Sequence, residues 1–182
     1  MNRLRTRRTA TAATTVVALL ALGAPAHAEV VVVQDGADAT ASLTDIRKVR
    51  IAHNEEQLKV RVNFPDLRKR ANAGLTIYID KNADRRGPEF GIGIPLFSGA
   101  DYALARMKNW KFVEPPKFVE CDYDVDLKWK RDVVIFRADR ACFGDADELR
   151  VAMLMRDDHD SSHVVRDWMI DRREYTDWLA AG

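Results

Sequence analysis

Past residue 28 the chain has no apolar run approaching the roughly 20 residues needed to cross a bilayer. It has no internal repeat, and no low-complexity linker or shift in composition marks a second domain. No Gly-x-Ser-x-Gly elbow is present, and Ser98, Ser161 and Ser162 sit in polar stretches without a visible triad order. There is no Cys-x-x-Cys motif. Basic blocks are missing as well: the one clump, Arg68-Lys69-Arg70, reads as a solvated turn. These absences argue against a membrane span in the mature chain, a serine hydrolase, a thiol oxidoreductase and a nucleic-acid binder.

What is present begins with the leader. Arg3, Arg5, Arg7 and Arg8 precede the apolar run Val16–Leu22, and Ala26-His27-Ala28 supplies the small residues a signal peptidase accepts. This is the layout of a secretory signal over residues 1–28, and it predicts a secreted, extracellular protein. Thr9-Ala10 follows Arg7-Arg8 where a twin-arginine signal carries a bulky apolar residue, which favours the general secretory route. The leader holds four of the 29 Lys and Arg and none of the 28 Asp and Glu, so its removal turns a net charge of +1 into −3. Residues 29–182 are the right length for one domain with a self-sufficient core.

That region is patterned with period two. Ile46, Val49 and Ile51 open the series, and Leu58, Val60, Val62 and Phe64 alternate until Pro65. Leu75, Ile77 and Ile79 alternate next, followed by Phe90–Leu96, Val133–Phe136, Leu149–Met155 and Val164–Ile170. Short strands joined by polar connections predict an all-β fold, an antiparallel β-sandwich of jelly-roll type with nine or ten strands. The segment Asp101–Met107 contains strong helix formers but reads as a strand, with Tyr102, Leu104 and Arg106 on one face.

Two cysteines, Cys121 and Cys142, are predicted to pair in an oxidising compartment. A turn at their midpoint, between Arg131 and Asp132, sets Leu127 opposite Phe136, Val125 opposite Ala138 and Asp126 opposite Arg137. Asp124 opposite Asp139 counts against that register.

Three groups of residues are candidates for chemistry. Asp80, Asn82 and Asp84 space oxygen ligands two residues apart, with Glu89 as a fourth, so calcium is the cofactor to consider there although the fold requires none. The helix-loop-helix calcium motif is excluded, because Arg85 and Gly91 occupy its glycine and glutamate positions. The competing reading is a polar hairpin turn. Asp157–His163, with His159 and His163, offers transition-metal ligands but reads foremost as a solvated connection between strands. Trp110, Trp168, Tyr175 and Trp178 are candidates for stacking sugar rings, against the alternative that they fill the core. His53, beside Asn54 at a strand end, suggests only a turn.

Several stretches have a familiar look. Ile79-Asp80 through Gly87-Pro88-Glu89-Phe90, Arg140-Ala141-Cys142-Phe143-Gly144, Asp160-Ser161-Ser162-His163 before Asp167-Trp168, and Tyr175-Thr176-Asp177-Trp178 resemble secreted actinobacterial β-sandwich proteins. More loosely, Ile-Asp-x-Asn-x-Asp within an all-β pattern is similar to family 9 carbohydrate-binding modules and DOMON-type domains. The looser resemblance implies a jelly-roll-like sandwich that binds sugar, haem or calcium, and it carries over no ligand contact residue by residue.

The leading expectation is thus a noncatalytic secreted binding module for polysaccharide or a cell-surface partner. The alternatives are a secreted hydrolase built from scattered carboxylates, and an extracellular inhibitor or interaction domain presenting a rigid loop such as Val113-Glu114-Pro115-Pro116.

Overall fold

The structure, a computed structural model, describes residues 28–182; the leader reading over 1–28 falls almost wholly outside them. Twelve strands follow one another: β1 (Glu29–Gln34), β2 (Lys48–His53), β3 (Gln57–Asn63), β4 (Ala73–Asp80), β5 (Phe90–Pro95), β6 (Ala103–Lys108), β7 (Lys111–Phe112), β8 (Tyr123–Lys128), β9 (Val133–Asp139), β10 (Glu148–Asp157), β11 (Val165–Trp168) and β12 (Leu179–Ala180). They form two antiparallel sheets packed together. One runs β1-β2-β3-β9-β8, the other β11-β10-β4-β5-β6-β7, with β12 also pairing with β10. The all-β sandwich expectation holds. The count exceeds nine or ten in part because β7 and β12, two residues each, are too short to show alternation. Among the described residues no helix is long and apolar enough to cross a membrane.

Alternation explains the core. Val49 and Ile51 of β2, Leu58, Val60 and Val62 of β3, and Val134 and Phe136 of β9 are buried from one sheet. Leu75, Ile77 and Ile79 of β4 and Val151, Met153 and Met155 of β10 meet them from the other. Arg106 shares a face with Leu104, as expected: they pair with Phe90 and Ile92 across the ladder, and the Arg106 guanidinium lies 4.3 Å from the Phe90 ring centre.

The bridge Cys121–Cys142 is formed, with Cα atoms 5.4 Å apart, but the hairpin register differs from the expected one. Leu127 faces Val134, Val125 faces Phe136, and Asp124 rather than Asp126 faces Arg137, at 3.5 Å between charged atoms. The cause is the connection. Trp129–Arg131 forms a 3-10 turn closed by Asp132 in the left-handed region (φ 53°), so the turn centres one residue earlier than the cysteine midpoint. The shift is two residues, so each side chain keeps its face.

His53 is also a correction. It continues the inward series Val49, Ile51 and is fully buried, with Nδ1 2.9 Å from the Leu179 carbonyl and Nε2 unpartnered. Burial holds its pKa below 6.5. A histidine depressed in the folded state supports stability above its unfolded pKa, and that support is lost as pH falls. The melting temperature should therefore drop, relative to that of a His53→Gln variant, as pH is lowered below 6.5; parallel profiles would refute this.

Candidate functional site

The four predicted aromatic residues and their neighbours occupy the outer face of the larger sheet. Tyr78 and Ala152 face outward from β4 and β10, and Met107 covers them from β6. Gly91 permits this, because a Cβ there would stand 2.2 Å from the Met107 sulfur. Trp168 stacks on Tyr78 with centroids 5.8 Å apart, while Trp110 meets Tyr78 edge-on at 5.1 Å and Tyr175 at 4.8 Å. Arg150 reaches between Tyr175 and Trp178, 4.5 Å from each ring, and burial pushes the Tyr175 phenol up. The four predicted rings are half-buried and their faces lie against one another or against arginine, so they form a cluster and not a flat row.

Trp110 is placed by an unusual turn. Lys108 pairs with Lys111, and the two intervening residues, Asn109 (φ 50°) and Trp110 (φ 67°), both adopt left-handed backbone. Two-residue hairpins favour this shape, but a bulky side chain in it is strained by on the order of 1–3 kcal/mol. The facing turn makes room. Gly87 (φ 79°) has no side chain where one would stand 2.8 Å from the Trp110 ring.

The predicted calcium loop lies between β4 and β5, and donors from the chain itself reach Asp80, Asn82 and one oxygen of Glu89, whose Oε1 is buried without a partner. Asp80, fully buried, receives the Arg150 Nε and Nη2 at 2.9 and 2.6 Å and the Asn82 amide at 3.0 Å. Asn82 Oδ1 accepts from the Asp84 amide, and Glu89 accepts from the Lys81 amide. Burial and the adjacent Asp80 raise the Glu89 pKa. Asp84 is exposed.

His159 and His163 lie on the connection between β10 and β11, as expected, and line a cleft of about 410 Å³ together with Leu43, Asp66, Arg68 and Asp157. Several of its charges are matched internally, while Arg70, also in its wall, forms no ion pair among the described residues. Arg68 pairs with Asp66 at 2.6 Å, His163 lies 3.1 Å from Asp160, and Asp157 accepts from Ser42.

A second groove, about 660 Å³, runs between the 85–89 turn and the segment 106–117. Arg85, Arg86, Arg106, Lys108 and Lys117 line it, all exposed, and none forms an ion pair among the described residues. Glu89 is the one carboxylate in its wall, buried and raised in pKa. Trp110 stands at its edge beside Asn109. Past it, the segment 114–118 is exposed, with Phe118 at 65%. The sequence reading missed this site because its cations come from three separate places, the β4–β5 connection, strand β6 and the β7–β8 connection. The available signal was that Arg85, Arg86, Arg106 and Lys108 flank the same two-strand unit, β5–β6.

Compared with protein-family models and with curated proteins, the chain matches none. The class that the fold and site define is a disulfide-linked β-sandwich carrying a basic groove beside an aromatic cluster.

Proposed function

We propose that the protein is a secreted, noncatalytic binding module for an anionic polysaccharide, held in the groove between the 85–89 turn and the 106–117 segment. The observation that carries this reading is the set of five unpaired cations around one concavity in a chain whose region 29–182 is net acidic. Uncompensated charge concentrated against the overall sign draws a polyanion to one place. The cleft at His159 and His163 supports the reading less well, since three aspartates, Asp66, Asp157 and Asp160, share its wall with Arg68 and Arg70. The aromatic cluster supports it by rigidity: Trp110, packed against Tyr78 and Tyr175, fixes the hairpin that presents Lys108.

The test is affinity electrophoresis and calorimetry against polygalacturonate, with neutral dextran and duplex DNA as comparisons. Binding to polygalacturonate that weakens with added salt is expected. The double variant Arg86→Ala, Lys108→Ala should bind about tenfold more weakly, because two exposed charge pairs together contribute on the order of 1–2 kcal/mol. Equal retention by dextran, equal retention by DNA, or an unaffected double variant would overturn the anionic-polysaccharide assignment. Release of reducing ends would overturn the noncatalytic part.

A further inference from the structure

The connection from β1 to β2, residues 35–47, passes between two sheet edges: β1 borders the smaller sheet and β11 the larger. Asp35 and Asp38 on this connection and Asp167 on β11 each present a carboxylate oxygen, and the three oxygens lie within 4.8 Å of one another. Asp167 is 3% exposed. Its Oδ2 accepts from the Ile46 amide at 2.6 Å, while Oδ1 is buried with no hydrogen-bond partner. Asp35 Oδ2 is likewise buried and unpartnered.

Asp45, fully buried alongside, accepts from the Ala39 amide at 3.3 Å and lies 3.1 Å from the Arg47 guanidinium. That pairing leaves Asp35, Asp38 and Asp167 without an ion pair among the described residues. Burial and mutual repulsion push Asp167 up to about 7 and Asp35 to about 6. Where the chain buries Asp80 it supplies Arg150. No side chain performs that service for Asp167, and an unpaired buried carboxylate is costly unless a metal or a proton takes its charge.

We propose that Asp35, Asp38 and Asp167 bind a calcium ion that fastens the edge strand of one sheet to the edge strand of the other. The donor set is all oxygen, which suits a hard cation and not a soft or imidazole-seeking one. Two of the three ligands ride on an irregular connection, which favours calcium's adaptable shell over the strict octahedron of magnesium. The connection already touches both layers: Ser42 Oγ donates to Asp157 of β10 at 2.6 Å, and the Arg47 amide donates to the Asn63 carbonyl of β3 at 2.9 Å. An ion at its entrance would neutralise the repulsion and lock the crossing. None of these acids lines the basic groove, so the site stands whether or not the groove binds a polysaccharide.

The experiment is calcium titration of the chelator-treated, oxidised protein by calorimetry and by thermal melting, at constant ionic strength. Binding with a dissociation constant of about 10⁻⁴–10⁻³ M and a rise in melting midpoint are expected. Asp38→Asn, at an exposed position, should weaken binding about tenfold or more and abolish the rise. Asp84→Asn, in the 80–89 turn, should behave as wild type. Wild-type protein indifferent to calcium up to ~10 mM would overturn the proposal. So would an Asp38→Asn variant that titrates like wild type, or loss of binding in Asp84→Asn alone. Asp167→Asn should lose binding as well; if it does not fold, the Asp38 variant decides.

Discussion

Replacing Arg150 with Met is expected to destabilise the domain by about 3–5 kcal/mol, the loss that follows when one member of a buried ion pair is removed. Asp80 is fully buried, and two guanidinium nitrogens, Nε at 2.9 Å and Nη2 at 2.6 Å, converge on its Oδ2. A methionine fills much of the same volume and offers no charge, so the carboxylate stays in place without a partner. The same substitution removes the cation held 4.5 Å from both the Tyr175 and Trp178 rings. Those rings anchor the C-terminal segment, whose Thr176 exchanges hydrogen bonds with Val151 and whose Leu179 carbonyl accepts from Nδ1 of buried His53. Urea unfolding should show the loss, and amide exchange over residues 175–180 should accelerate more than exchange in β3 or β9. The control is the double variant Asp80→Asn, Arg150→Met. It removes both charges and should recover most of the stability, because the penalty comes from the orphaned carboxylate and not from a large net gain in the pair. A double variant as unstable as Arg150→Met alone would show that stacking against Tyr175 and Trp178 carries the effect.

The sandwich was legible because strands with one buried face write that face into the chain at every second position. Leu58, Val60 and Val62 and Leu75, Ile77 and Ile79 are such cases, and all six are fully buried. The same parity, carried two residues past Ile51, would have marked His53 as an inward residue. Register was less legible, since it depends on turn geometry: a 3-10 turn at Trp129–Arg131 moved every pair between β8 and β9 by two residues while leaving the faces intact. The aromatic residues were identified by type, yet their use was not, because Trp110, Trp168 and Tyr175 come together only when β10, β11 and the β6–β7 hairpin share one sheet face. The groove and the acid cluster were the least legible. Arg86, Lys108 and Lys117 have no shared period, and Asp35 and Asp167 are brought together only by sheet edges that the sequence does not place side by side.

Removing the bridge in a Cys121→Ala, Cys142→Ala variant is expected to cost about 3 kcal/mol, from the entropy of an unfolded chain no longer closed across that loop. The two cysteines are separated by 21 residues, which span the whole β8–β9 hairpin. β8 is the outer strand of its sheet, hydrogen-bonded on one side only, so the bridge restrains an element with few other ties. Its second end is deeper. Cys142 lies in a 3-10 turn that sets Phe143, fully buried, edge-on to Phe90 with centroids 5.3 Å apart. The Phe143 carbonyl accepts from Lys81 Nζ at 2.8 Å, and Lys81 begins the turn that leads to Arg85 and Arg86. The urea midpoint should fall by roughly 1–2 M for a domain with an ordinary denaturant slope. An unchanged midpoint would mean that the reduced chain keeps the hairpin closed by other contacts. Below its own melting transition the variant should still bind polygalacturonate, because four of the five groove cations, Arg85, Arg86, Arg106 and Lys108, are set by the β4–β5 connection and β6, neither of which carries a bridge cysteine. Loss of binding in a variant that remains folded would instead show that the Phe143–Lys81 contact holds the 85–89 turn in its binding shape.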